Sequence, residues 1–440
     1  MISRHWFCVL AILLAAAPIH AQGVKLVEAP LAQACVRIEL SMELAGKITV
    51  KQDDKENSFP HKAEAKHVFL ERILDTIGNV GAKSARHYLT ADSTITFNNN
   101  EASKRSLRDE RRFLVAQRVK DQVVTFSPQG PMTRSEMELT EHFDTMAVAG
   151  LLPGKNVEVG KTWMIPNAVV AALCEFDGLT ENQLEGKIEK VMDNIAHLSI
   201  AGKAQGINVG AQVGMLVNAR CEFDIKEGRI VFLEWKETIE RQQGPVSPAL
   251  SADVTITLKR TPIEEPEQLN KFALVPVPKA ETPPVALTNL RFQDVKKRFE
   301  LSHARNWHAV SPDDNPQLVM RLVERGEFIA QATITPWKKI DPKNAMNLTD
   351  FAELVAKTPG WALDKETERK TLDQLPKGHH TVHRVIASGE LEGVRTVQYF
   401  YLVVGTSGEQ LIATFSVVPQ LATRLGSADL EMVREIVFPE

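Results

Sequence analysis

Cysteine is scarce. The chain has 440 residues and four Cys. Cys8 sits in a leader-like start, which leaves Cys35, Cys174 and Cys221. An odd number of thiols excludes a disulfide framework. A basic excess is also missing: 52 Lys and Arg stand against 56 Asp and Glu, net −4. That balance lacks the electrostatic footprint of a nucleic-acid binder. Beyond residue 17 no apolar run approaches the ~20 residues of a membrane-spanning helix, so no such span is expected. There is no Gly-x-Ser-x-Gly elbow, no His-Glu-x-x-His and no Gly-x-x-x-x-Gly-Lys. Neither a serine nucleophile, a zincin helix nor a phosphate loop is signalled. Acidic residues are spread too evenly for a general acid and base to stand out. No cofactor is implied.

What is present suits packed cores, since 43% of the residues are hydrophobic. Residues 1–21 read as a processing segment. Arg4 supplies a short positive region, residues 6–17 an apolar run, and Pro18 breaks it. Cleavage is expected near Ala21, with Gln22 following; a lipoprotein would need Cys there. The alternative is an uncleaved anchor, but the run is short for that. The mature chain is expected in the periplasm or outside the cell.

Residues 261–287 carry six prolines: Pro262, Pro266, Pro276, Pro278, Pro283 and Pro284. Each removes a backbone donor and pushes the preceding residue out of the helical region. An extended, semi-rigid linker is expected there, dividing a strand-rich domain, 22–260, from a second one, 288–440.

In the first half, Val36, Ile38, Leu40, Met42 and Leu44 alternate with Arg37, Glu39, Ser41 and Glu43, a strand with one buried face. Thr133 and Glu136 form a capping-box pattern before a helix over 133–149, ended by Gly150. A shorter helix over 168–176 follows Asn167. A meander over 183–260 has Val213, Met215, Val217, Ala219, Cys221 and Phe223 on one face. Its return strand sets Val231, Leu233 and Trp235 inward. Gly202, Gly206, Gly210 and Gly214 read as bulges and a turn in a curved sheet. The basic run 101–112 is interleaved with Asp109 and Glu110, so a solvated face with local ion pairs is preferred to an anion patch.

Leu151-Leu152-Pro153, Val157, Val159-Gly160 and Trp163, with Phe223-Asp224 and Gly228, resemble a secreted bacterial family without assigned activity. The shape implied is a curved sheet with a helix on it, similar to lipoprotein-carrier half-barrels. The second half resembles PsbP-like domains. Phe299-Glu300-Leu301, Trp307, residues 330–334, Phe351, Tyr399-Phe400-Tyr401 and residues 433–438 carry that likeness, though Arg305-Asn306 replaces the usual Tyr-Pro. It implies an antiparallel sheet with helices on both faces and an association with assemblies outside the cytoplasm. It implies no catalytic residues. The fold class expected is therefore α+β in two domains, an N-terminal antiparallel curved sheet (half-barrel-like) with one or two helices, and a C-terminal PsbP-like sheet with flanking helices.

Two constellations bear on chemistry. His379, His380 and His383 are close in sequence. On a regular strand His379 and His383 lie about 13 Å apart, too far to share an ion. A turn would let all three converge on a metal; the alternative is solvated histidines. Cys174 and Cys221 both open Cys-Glu-Phe-Asp, and are either a disulfide pair or two buried thiols. Tyr399 and Tyr401 share a strand face and read as core. The expected function is a secreted, non-catalytic binding or assembly protein of the cell envelope, with an unknown protein or envelope component as partner. The alternatives are a carrier of an apolar ligand in the N-terminal curved sheet and a metal-dependent enzyme using the histidines.

Overall fold

The computed structural model describes residues 23–28, 33–52, 55–78, 80–120, 122–311, 315–373, 375–376 and 378–439. The leader 1–21 and its cleavage site lie outside the described residues.

The long alternating runs form one large antiparallel sheet. Its strands run, edge to edge, Gln122–Phe126, Phe113–Val119, Val80–Phe97, Lys55–Ile77, Cys35–Gln52, Ala249–Ile263, Arg229–Arg241, Ala211–Asp224, Ile195–Asn208, Glu185–Met192 and Thr162–Met164. Two short strands, Ser103–Ser106 and Gly178–Asn182, pair off that path. Strand alternation sends one set of side chains inward. Ile38, Phe69, Leu198, Val217, Leu233, Trp235 and Ile256 from six of these strands share a single core with Phe143 and Val170 from the segment inside. The sheet therefore curls around that segment. Its two edges nearly meet: Gln122 Nε2 on one side donates to Asp177 Oδ1 on the other, at 3.1 Å.

The far end of this half-barrel is closed by the strand Val24–Leu26, paired with Lys155–Val157. Glu28 fixes it there, accepting from Arg260 Nη2 at 2.6 Å and from the Ile230 N–H at 2.9 Å. A register shift between Glu222 and Phe223 brings Ile230, rather than Val231, into the core. The four glycines do not make bulges between Ile195–Asn208 and Ala211–Asp224, whose register is unbroken. Gly206 instead leaves room for Phe176, whose ring a Cβ would meet at 2.6 Å. Gly210 turns the hairpin at φ +82°.

The helix expected over 133–149 is shorter, Arg134–Glu141. Its capping box is present: Thr133 N–H donates to Glu136 Oε2 at 2.9 Å, and Glu136 N–H to Thr133 Oγ1 at 3.2 Å. It stops because Asp144 Oδ1 accepts from the Met146 and Ala147 N–H groups, offering the backbone a turn in place of the next helical bonds. The second helix is Asn167–Leu173.

The proline-rich stretch is not a free spacer. Residues 261–263 complete the strand Ala249–Ile263. Pro262 is tolerated because pairing with Arg229–Arg241 has already ended at Lys259. Leu269 then covers an apolar patch of Leu70, Ala85 and Phe113 on the convex face. Arg72 Nη1 donates to Leu269 O at 2.7 Å, and Gln117 Nε2 to Glu281 O at 2.6 Å.

The second half has a three-stranded sheet, Leu290–Gln293, Glu300–His303 and Ile436–Val437, and a seven-stranded one. The latter runs Trp307–Ala309, Leu318–Glu324, Glu327–Trp337, Gln410–Val417, Val394–Gly405, His379–Leu391 and Trp361–Thr371. Apolar cores lie on both faces. The helix Leu348–Ala356, capped by Asn347, covers one and the helix Ala428–Arg434 the other. Among the described residues, no sheet joins the halves; the isolated bridge Met132–Leu290 does.

The expected α+β class is corrected. The described residues are 57% strand and 14% helix, a mainly β structure with few, short helices. The physical cause is that side-chain turns and prolines stop each helix within three turns, while the period-two runs extend to 23 residues. No described helix is long and apolar enough to cross a membrane.

Candidate functional site

The open end of the half-barrel meets the second half in a chamber of about 740 Å³. Three arginines join the halves around it. Arg305 Nη1 donates to Glu141 Oε1 at 2.7 Å and Nε to Thr288 O at 2.8 Å, with a further contact to Thr125 O. Arg134 Nη2 donates to Trp307 O at 2.8 Å and also contacts Arg305 O. Arg321 donates to Pro245 O in the turn of the curved sheet.

Strand alternation continues inward along Arg229–Arg241. After Leu233 and Trp235 come Glu237, Ile239 and Arg241, on a surface otherwise apolar. Trp235 Nε1 donates to Glu237 Oε2 at 2.8 Å. Burial nevertheless pushes the Glu237 carboxyl up to about 7. Glu175 follows the helix Asn167–Leu173 in a left-handed conformation, φ +55°. It is exposed, but to the chamber it lines and deep among protein atoms. Those surroundings first, and the carboxyls of Glu237 and Glu141 next, raise its pKa to about 8, against the pull of Arg241. Among the described residues its carboxylate makes no ion pair. Arg241 makes none either: it reaches Pro248 O at 3.3 Å, and its Nε is buried without a partner. Burial lowers its pKa.

Behind the chamber, the rings of His142 and His67 lie 4.6 Å apart, centre to centre. His142 Nδ1 meets Leu139 O at 2.9 Å, so Nδ1 carries the proton and Nε2 is a bare acceptor. Both Nε2 atoms are buried and unpartnered. Burial holds His142 down to about 4. Burial, then the neighbouring His142, holds His67 to about 3. Both are neutral at pH 7. His308 also lines the chamber, neutral for the same first reason, with Arg134 adding to it.

The residues singled out from sequence do not form a site. A register shift between His379 and Thr381 turns His379 away from the face of His383. His379 Nε2 meets Ile436 O at 2.8 Å beside Phe438, while His383 bonds Thr371 Oγ1 and Met346 O against Phe351. His380 is exposed. The converging metal cluster is thus corrected. Among the described residues, no three His, Cys, Asp or Glu side chains converge as ligands. Cys174 and Cys221 are free and buried, as is Cys35. Cys174 feels the charge of Glu237, which pairs level with Val254 and Val217. Cys221 lies four residues, about 13 Å, further along the strand from Val217. The disulfide is corrected for that reason. Tyr401 is core, its Oη donating to buried Asp429 at 2.6 Å.

Glu237 and Arg241 were not named from sequence, although period two from Trp235 puts both inward. Glu175 and Asp177 stood inside the repeated Cys-Glu-Phe-Asp, where attention went to the thiols.

No family model matches the chain, and no curated protein matches in sequence. Solved structures similar to it include cyanobacterial PsbP (CyanoP) from Synechocystis, 13% identical over 37% of this chain and 99% of that one, TM-score 0.28. The Ran-binding protein Mog1p from Saccharomyces cerevisiae is 13% identical over 34% and 95%, TM-score 0.24. Both have the PsbP-like fold. Lipovitellin, 6% identical over 52% and 25%, has a TM-score of 0.30. These likenesses are too distant to carry a function to this chain.

Proposed function

We propose that the protein is a non-catalytic binding protein of the cell envelope, which holds a small ligand between the half-barrel mouth and the second half. The observation that carries this is the chamber itself. Its volume of about 740 Å³ lies in the range of small-molecule sites, and both halves line it. Val124, Met137, Ala172 and Phe176 supply apolar wall, while the Glu175 carboxyl and the Arg241 guanidinium supply polar groups that do not pair with each other. Leaving charged groups unpaired in a recess costs stability, and a ligand that meets them recovers it. The leader pattern at residues 1–21 supports a place outside the cytoplasm. The carrier reading gains from the half-exposed apolar side chains of the curved sheet. The metal-dependent reading loses its donor set.

The test is native mass spectrometry of the full chain purified from envelopes of producing cells. Wild type is expected to carry a small-molecule adduct. Ala172→Trp and Met137→Trp, each filling the chamber, are expected to lose it while melting within a few degrees of wild type. An adduct indifferent to both, or none at all, overturns the reading. Turnover of the bound compound at enzymatic rates overturns its non-catalytic part.

A further inference from the structure

The chamber's unpaired groups are of both signs, and they stand at one end of an apolar row. Arg241 is opposite Leu250 in the adjacent strand, Leu250 opposite Ile48, and Ile48 opposite Phe59. All three apolar residues are half-buried and face the concave side. Phe97, its ring tilted against Phe59 with centres 5.4 Å apart, extends the row. A surface of that kind is wetted when empty, and covering it releases water at about 25 cal/mol per Å². Across the chamber from the row's charged end, Glu175 has no partner; Glu237, on Arg241's own strand and set back from the chamber wall, has the Trp235 N–H. Arg241 Nε is a buried donor without an acceptor, and His142 Nε2 a buried acceptor without a donor. Glu175 and Arg241 act on each other's charge but do not touch as an ion pair. The space between them lies within the chamber that both line. A ligand with one charge would satisfy one side and leave the other bare.

We propose that the chamber takes an amphiphile with a zwitterionic head: its ammonium end on Glu175, its acidic end on Arg241, its tail along Leu250, Ile48 and Phe59. This rests on the reading of the chamber as the binding site. A head group with N–H donors suits His142 Nε2 as well, since that nitrogen accepts only. An ammonium takes the place of the proton on Glu175, so Glu175, His142 Nε2 and one unpartnered guanidinium N–H meet complementary groups at once, and no new buried charge is left unmatched.

The experiment is a titration of the purified, ligand-stripped full chain with four probes below their micelle concentrations, read by calorimetry. The probes are lysophosphatidylethanolamine, lysophosphatidic acid, dodecylamine and dodecyl maltoside. The first is expected to bind at least tenfold tighter than each of the others. Glu175→Gln is expected to bring it down to the affinity of lysophosphatidic acid. Arg241→Gln is expected to bring it down to that of dodecylamine. Because each variant is compared with itself across probes, partial loss of folding cannot mimic these ratios. Equal binding of a singly charged or uncharged probe, if abolished by Ala172→Trp, overturns the zwitterion and keeps the chamber. Binding of any probe that Ala172→Trp leaves unchanged overturns both. So does the absence of all binding.

Discussion

The two halves use antiparallel sheets differently. The seven-stranded sheet of the second half is covered on both faces, and its buried charges sit in ion pairs, although Asp429 Oδ1 has no hydrogen-bond partner. Asp429, fully buried, accepts from Tyr401 Oη and pairs with Arg384, which also lies over the rings of Tyr399 and Tyr401. The half-barrel of the first half buries one face around two short helices, and those helices fill only part of it. Toward the mouth, inward positions pass from Leu233 and Trp235 to Glu237 and Arg241, and the matching of charges stops. A sheet packed on both faces has no room left for a ligand. A sheet curled around too little filling has room, and the unmatched groups mark where.

Breaking the packed half should have the largest effect. Phe415→Ala removes a ring that touches both Trp307 and Tyr401 edge-on. A loss of about 3–5 kcal/mol is expected in denaturant unfolding, with the chamber's ligand affinity unchanged in the fraction that folds. Next comes the joint between the halves. Arg305→Ala removes the donor to Glu141, Thr288 and Thr125. About 1.5–3 kcal/mol is expected, seen as faster proteolytic cutting near residues 284–290. Unchanged cutting would mean that the joint is held by other contacts.

The chamber should respond to pH at both ends of the range. Glu237 is raised from 4.5 to about 7, so the folded state binds the extra proton between those values. Stability contributed there is full below about 4.5 and declines as pH rises through 7. Glu237→Gln is therefore expected to stabilise by about 1–2 kcal/mol at pH 8 and by nothing at pH 4, in melts across that range. His142 works in the opposite sense. Its pKa falls from 6.5 to about 4, so stability is lost as pH drops through that window. His142→Asn should flatten the acid limb of the profile between 6.5 and 4. The smallest effect is reserved for His380, which is exposed. His380→Ala is expected to change stability by less than about 0.5 kcal/mol and bound metal not at all.

Much of the strand content was legible. Val36 to Leu44 and Val213 to Phe223 carry period-two alternation, and their inward sets match the buried or half-buried residues. The cap at Thr133 was legible because a capping side chain bonds within its own turn. The strand Trp361–Thr371 was not, since it is a polar, exposed edge rich in Lys and Glu, with no inward face to set a period. The end of the helix at Glu141 was missed because Asp144 competes locally for the backbone. The histidines misled because sequence proximity does not reveal a register shift. The chamber's charged groups went unread because Glu175 follows a helix and Arg241 ends a strand 66 residues later.

Taken alone, the order of residues determined which faces of which strands shed water. That follows from side-chain chemistry and the two-residue repeat, both of them local. It also placed the helix starts, for a cap needs only its neighbours. Only the tertiary structure decided how far the sheet curls, that the prolines strap its convex face, and that Glu175 faces Arg241 across a space neither fills. Those outcomes depend on how much volume the enclosed helices occupy, a property of the whole packed body that no window of sequence contains.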